Sequence, residues 1–233
     1  MEPWVFREVG HAEWGDARLT LREMQSVDAL SQHPEGSWPD AFQGDAAGLK
    51  ASYRFFDNDR VDPAALLPPH QEATRDRCLQ AAGMILVAQD TTYFHFTGHP
   101  SVEDLGPIEK KDTQGLIVHS ALAMTSEGVP LGIVAQKIGT RDPADYGKAA
   151  RHKQLPIEEK ARYRWLETIE AVHAYCPPDV PVLPIADREA DIYDLFVQAS
   201  QKSRQVLIRG SWNRRIVDHP ETSLWPAVEA API

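Results

Sequence analysis

Apolar positions in the first third of the chain recur at helical spacing. Leu19, Met24, Val27 and Leu30 fall on one face between Asp16 and about His33, and Gly15-Asp16 supplies a cap just ahead of them. The stretch from His33 to Pro39 has turn chemistry, after which Pro39 to Phe42 and Ala46 to Phe56 read as two short helices that stop at Asp57-Asn58-Asp59. Asp62-Pro63 opens a further helix, which Pro68-Pro69 interrupts before it resumes to Ala82. Residues 1–82 therefore read as a small all-α unit.

At Gly83 the period changes. Met84 to Phe96 is rich in β-prone residues, and Gly115–Thr125 and Val129–Lys137 form two more such runs joined by Ser126-Glu127-Gly128, a hairpin. Arg141 to Gln154 is polar and reads as a loop. Ile157, Ala161, Trp165, Ile169 and Val172 then make the stripe of a helix that ends before Pro177-Pro178. Val180–Ala186 is a fourth strand, Asp191–Gln201 a helix and Val206–Arg209 a fifth strand. The order βββαβαβ predicts a layered α/β domain.

A chain of 233 residues has room for this second domain beside the helical one. The formal charge of -10 argues on its face against nucleic acid, but the acid is uneven: the net is -6 over residues 1–80 and only -1 over residues 151–233. Net charge thus does not decide the partner. Cys78 and Cys176 stand far apart without a second cysteine at metal or redox spacing, which predicts two reduced thiols, no disulfide and a cytoplasmic protein. The N-terminus has no basic start leading into an apolar stretch, and no run approaches the ~18 apolar residues of a membrane span.

Two carboxylates stand out against this frame. Asp90 follows Ile85-Leu86-Val87-Ala88 and precedes Thr91-Thr92, and Asp187 follows Val182-Leu183-Pro184-Ile185-Ala186 at a strand-to-helix junction. A charge at the end of a buried run is costly unless a cation meets it. If the two strands are neighbours, the carboxylates converge, and paired carboxylates at a sheet suit magnesium or manganese. An Asp after a strand also serves as an N-cap or turn residue, and both readings stand for each position. Elsewhere, Lys50, Tyr53 and Arg54 share a helical stretch suited to phosphate contact, or to a solvated face with Tyr53 and Phe56 turned to the core. Arg209 with Trp212, Arg214 and Arg215 is the clearest basic cluster; Arg188 and Lys110-Lys111 are weaker candidates. His95 and His99 are four apart but on a strand end and a Gly turn, a poor zinc pattern. His119 is expected to hydrogen-bond near the metal site, and Glu189 and Asp191 to favour the following helix N-terminus.

The stretch Asp187-Arg188-Glu189-Ala190-Asp191-Ile192-Tyr193, with Gln89-Asp90-Thr91-Thr92 and Val118-His119-Ser120-Ala121, resembles the DDE transposases of bacterial insertion sequences, in the group that includes the transposon-five enzyme. Gly15 to Leu19, Lys50 to Phe56 with Asn58, and Pro69-His70 resemble that group's N-terminal DNA-binding domain, so the resemblance runs from about Glu13 to Arg215. It implies an α/β fold in two domains: a helical DNA-binding domain over residues 1–82, then an RNase H-like mixed-sheet catalytic core over 83–233. It further implies that Asp90 and Asp187 are the first two members of an Asp-Asp-Glu triad, catalytic and metal-binding, with Mg2+ or Mn2+ as cofactor. The activity implied is binding, cleavage and joining of transposon-end DNA by two-metal phosphoryl transfer, with Lys50, Tyr53, Arg54, Arg188, Arg209, Trp212, Arg214 and Arg215 meeting the double-stranded DNA.

The chain departs from the family after Asp187. Nothing there matches the helix carrying Tyr, Arg, Glu and Lys that holds the third carboxylate, and Glu221 and Glu229 lie in a Pro-containing tail without those companions. The expectation is a core lacking its C-terminal part, acting as a homodimer or as a heteromer with full-length transposase. A catalytically inactive DNA-binding truncation that interferes with full-length enzyme is the alternative. A two-carboxylate metal phosphohydrolase is a third.

Overall fold

A computed structural model describes residues 1–99, 101–108, 110, 112–142, 162–218 and 220–232. The expected loop at Arg141–Gln154 lies almost wholly outside the described residues, as do Ile157 and Ala161 of the expected helical stripe and Lys111.

The N-terminal helices form where the caps place them. Helix α2 (Ala17–Gln32) starts on Asp16, whose side chain accepts from Arg18 N–H, and α4 (Ala46–Phe56) starts on Asp45, which accepts from Gly48 N–H. Between them α3 (Trp38–Ala41) carries a reciprocal capping box of Ser37 and Asp40. Helix α1 (Pro3–Val9) was not expected from the pattern; Pro3 takes a first-turn position and Val5 and Val9, one turn apart, are buried. Pro68-Pro69 do not interrupt a helix but begin one: α5 (Pro68–Gln80) has them in its first turn, where no intrahelical N–H bond is lost. A single 3-10 turn, Pro63–Ala65, precedes it. Trp14 and Phe55 meet edge-on at 5.7 Å in a cluster with Ala12, Leu19, Val61, Ala65 and Leu66.

The strands are β1 (Ile85–His95), β2 (Gly106–Pro107), β3 (Gln114–Met124), β4 (Pro130–Gly139), β5 (Val182–Ala186) and β6 (Leu207–Ile208). They form one mixed sheet in the order β2-β3-β1-β5-β6, with β4 also on β3. Strand β2 is antiparallel to β3 and β6 parallel to β5. Helices α6 (Tyr163–Tyr175) and α7 (Tyr193–Gln201) follow the expected segments, and α8 (Leu224–Ala230) occupies what reads in sequence as a tail. Short β2 was likewise unforeseen.

Trp165, 1 % exposed, anchors the cluster of Leu166, Ile169, Ala186, Ala190, Ile192 and Leu195 that fixes α6 and α7 on β5. Removing a buried ring of this kind costs about 3–5 kcal/mol. The exposed Lys137–Glu167 pair, from β4 to α6, is worth under about 1 kcal/mol. Apolar burial therefore decides where α6 lies.

The described residues form two compact units. The first comprises Met1–Ile85, Leu122–Ala135 and Ala174–Pro181, and the second Leu86–Ala121, Gln136–His173 and Val182–Ile233. The unit containing the N-terminal helices thus also holds the tip of the β3–β4 hairpin and is not helical throughout. Polar contacts clamp that tip within the unit. Ile133 N–H donates to His70 Nε2 (3.0 Å), Gln71 Nε2 donates to Val134 O (2.8 Å) and Arg77 donates to Leu131 O. Glu8 of α1 completes the clamp, accepting from His70 Nδ1 (2.6 Å) and from the Arg77 guanidinium. Burial works to raise the Glu8 pKa, but the hydrogen bonds from Arg77 and His70 outweigh it and leave the carboxyl below its usual range.

Gly132 lets the hairpin approach α5 this closely: its φ is +139°, and a Cβ there would lie 2.1 Å from Thr74 Oγ1. Gly132→Ala is expected to cost about 2 kcal/mol or more, from backbone strain and the displaced Thr74 together. In a thermal melt this lowers Tm by about 4–8 °C; a Tm within about 1 °C of wild type would show that the hairpin is not held against α5.

Candidate functional site

Strand β1 alternates as its residues dictate: Ile85, Val87 and Gln89 are buried, and exposure begins at Asp90. The strand itself does not end there. It runs five residues further through Thr91-Thr92-Tyr93-Phe94-His95, close to the expected Met84–Phe96, so Asp90 lies mid-strand at the point where burial ends and is not an N-cap. β-Branched and aromatic residues keep the ladder going after burial stops. Asp187 does follow the last residue of β5, with extended backbone (φ -77°, ψ -172°), and its Oδ1 accepts from Glu189 N–H at 2.8 Å. It therefore caps the 3-10 turn Arg188–Ala190 as well as standing at the sheet.

The sheet brings the two aspartates together. β1 and β5 are neighbours, and Ile85 N–H, at the start of β1, donates to Pro181 O, immediately before β5, at 2.8 Å. Bonding between the two starts makes the pair parallel and sets Ile85 beside Val182. Five positions along each strand lead to Asp90 and to Asp187. Their faces also agree. Ala186 belongs to the Trp165 cluster, and Gln89 bonds to His119, whose ring meets Trp165 edge-on at 4.4 Å. Gln89 and Ala186 thus face α6, and the next residue on each strand turns to the opposite side.

Two exposed carboxylates on adjacent strands fit one hydrated hard cation, which takes one or two carboxylates and completes its shell with water or phosphate oxygens. Among the described residues no three His, Cys, Asp or Glu side chains converge as a metal-ligand group. Glu189 is turned to Arg164 at 3.4 Å, and Glu229 lies on α8. His95 ends β1 and His99 follows it, and neither belongs to such a group.

His119 is 1 % exposed and bonds on both sides of Asp90: Nδ1 to Thr91 Oγ1 at 2.8 Å and Nε2 to Gln89 Oε1 at 3.3 Å. Burial, with smaller contributions from the Arg164 and Lys137 charges, pushes its pKa down to about 4, so the ring is neutral at pH 7.

Asp191 is the residue whose role the sequence did not disclose. Rather than supporting a helix N-terminus in solvent, it is 4 % exposed and organises the loop beyond β6. Its Oδ2 accepts from Ser211 N–H (2.7 Å), Trp212 N–H (2.9 Å) and Ser211 Oγ (3.1 Å), while Oδ1 accepts from the Arg214 guanidinium. The only hint in sequence was an acid in Asp187–Asp191 with an Arg-rich turn some twenty residues on.

The basic candidates divide accordingly. Arg214 is committed to Asp191 and lies over the Phe196 ring at 5.6 Å, whereas Arg209, Trp212 and Arg215 are exposed on the loop that Asp191 holds. Arg188 is exposed beside Asp187. On α4, Lys50, Tyr53 and Arg54 are all exposed at i, i+3 and i+4, one helix face. Tyr53 is 52 % and Phe56 50 % exposed, so the core-facing alternative for these rings fails; Ser52 and Phe55 face inward instead. Among the described residues neither Lys50 nor Arg54 has an ion-pair partner, which leaves both charges available.

Residues 1–61 match the family model described as transposase DNA-binding. No curated protein gives a significant match. Among solved structures, a chain from the crystal structure of the Mos1 strand transfer complex aligns with 84 % of this chain and 68 % of its own length, at 9 % identity and a TM-score of 0.29, too low to bear on fold or function. No helix among the described residues is long and apolar enough to cross a membrane.

The Asp191 contacts carry a pH signature. Burial raises its pKa, but Arg214 and the Ser211 and Trp212 amides overcome this and hold the carboxyl below its ordinary 3.8. The stabilisation is complete above the unfolded value, near pH 4, and is lost as pH falls through the lower folded value. Asp191→Asn is expected to cost about 2–3 kcal/mol at pH 7, by leaving Arg214 without its anion. Urea melts at pH 7 and pH 3 test this: the difference from wild type narrows at pH 3, and an equal difference at both would exclude the ion pair as its source.

Proposed function

We propose that this chain is a DNA-binding transposase protein of the DDE type, similar to the group that includes the transposon-five enzyme, in which Asp90 and Asp187 are two of the catalytic carboxylates. The match of residues 1–61 to the transposase DNA-binding model carries the reading. The exposed Lys50, Tyr53 and Arg54 face lies within that segment. Lys50 and Arg54 neutralise phosphates of a transposon-end duplex and Tyr53 adds a polar or packing contact in the groove.

The carboxylate pair supports the second half of the reading. A Mg2+ or Mn2+ ion there supplies Lewis-acid polarisation of a phosphate oxygen. Asp90 and Asp187 hold their oxygens on one face of the sheet, Arg188 brings a cation beside them, and Arg209, Trp212 and Arg215 extend the DNA-facing surface of the second unit. Cleavage and joining belong to the complete protein, and the chain on its own binds ends. It then acts as a homodimer or in a heteromer with full-length transposase, the latter interfering with it.

Fluorescence anisotropy of the purified chain on transposon-end duplexes tests the DNA reading. Binding is expected to weaken steeply with salt, and Lys50→Ala with Arg54→Ala is expected to weaken it about tenfold or more and to reduce the salt slope by about two. A double variant that binds like wild type at every salt concentration overturns the assignment of this face. Metal-dependent nicking of the same duplex by the chain alone overturns the binding-only behaviour.

A further inference from the structure

We infer that His119 is a positioning residue that fixes Asp90 for its role in ion binding; this rests on the reading of Asp90 and Asp187 as a divalent-ion pair. Register brings His119 to this place. Phe96 N–H, just past the end of β1, donates to Gln114 O at the start of β3, at 2.8 Å. The strands are therefore antiparallel, and five positions back along one and forward along the other set Thr91 across from His119.

The ring then spans both neighbours of Asp90. Its Nδ1 meets the Thr91 hydroxyl at 2.8 Å and its Nε2 the Gln89 amide oxygen at 3.3 Å, so positions 89 and 91 are tied to one rigid group. Trp165, edge-on at 4.4 Å, closes the other side of the imidazole, and His119 is 1 % exposed. Because side chains alternate across a strand, tying 89 and 91 down on the α6 face fixes the direction in which Asp90 leaves the opposite face. The carboxylate itself is exposed and cannot be held by packing of its own. An ion site needs its ligands placed to within a fraction of an ångström, which groups behind the ligand commonly provide. His119 touches neither ion nor substrate, and its effect passes through the strand.

The test uses the full chain and Mn2+ alone as probe. Free Mn2+ is read by electron paramagnetic resonance for wild type, Asp90→Asn, His119→Phe, Thr91→Val and the His119→Phe/Thr91→Val double variant. His119→Phe keeps a ring against Trp165 and removes both hydrogen bonds; Thr91→Val removes one hydroxyl from a partly exposed site and keeps the chain folded should the first variant fail. Wild type is expected to bind and Asp90→Asn to lose binding. His119→Phe and Thr91→Val each weaken affinity, His119→Phe by about tenfold, and the double variant loses no more than His119→Phe, because the Thr91 bond is already gone. Single variants that stay folded and bind Mn2+ within about twofold of wild type overturn the positioning role and leave the ion pair standing. If wild type binds no better than Asp90→Asn, the ion reading itself fails, and the positioning role for ion binding falls with it. Amide hydrogen exchange separates positioning from general stability. A selective rise over residues 88–92 in the metal-free His119→Phe protein supports positioning, and a rise spread evenly over the sheet overturns it.

Discussion

Strand β1 has β3 on one edge and β5 on the other, and the remainder of the second unit depends on that double pairing. A central strand must have its backbone groups met on both sides, so its register against each neighbour is set by hydrogen bonds at its two ends. Ile85 bonds toward β5 and Phe96 toward β3. Between those bonds the position of every side chain follows from counting. Asp90 comes level with Asp187 and Thr91 with His119. A slip of one residue against either strand would turn the buried Val87 and Gln89 to the wrong face, a change strongly resisted by packing.

Asp191 applies the same logic to the loop after β6. A carboxylate at 4 % exposure is tolerable only because two backbone amides, a hydroxyl and a guanidinium meet it. Those contacts shape the turn that leaves Trp212 and Arg215 exposed while consuming the charge of Arg214. One short segment, Asp187 to Asp191, thus presents one aspartate to solvent at the end of β5 and sinks another to hold a loop. The same residue type stands exposed in one place and serves as an internal anion in the other, and burial distinguishes them.

Much of the fold was legible because its signals are local. Helices α2 and α4 begin where Asp16 and Asp45 cap them, and the hairpin around Ser126-Glu127-Gly128 follows its turn residues. Proline was the ambiguous sign: Pro68-Pro69 read as a break, whereas lacking N–H groups costs nothing in a first turn, where α5 uses them. Pro3 gave the same sign for α1 in too short a stretch to show a period. Strand β1 (Ile85–His95) runs close to the expected Met84–Phe96; the polarity change at Asp90 marks where burial ends, and the β-branched and aromatic residues beyond it continue the strand beside β3.

By itself the sequence determined the residue types at each turn and cap, the alternation that buries Ile85 and Val87, and the resemblance that singled out Asp90 and Asp187. Tertiary structure alone decided that β1 and β5 are adjacent and level, that His119, expected near this site, takes Thr91 and Gln89 as its partners, and that Asp191 belongs to Arg214 rather than to a helix end. The physical reason is distance along the chain. Caps, turns and periodicity act over a few residues and leave a local trace. Pairings such as Thr91 with His119 or Asp191 with Arg214 join residues more than twenty positions apart, and only the sheet and the packed loop bring them within hydrogen-bond range.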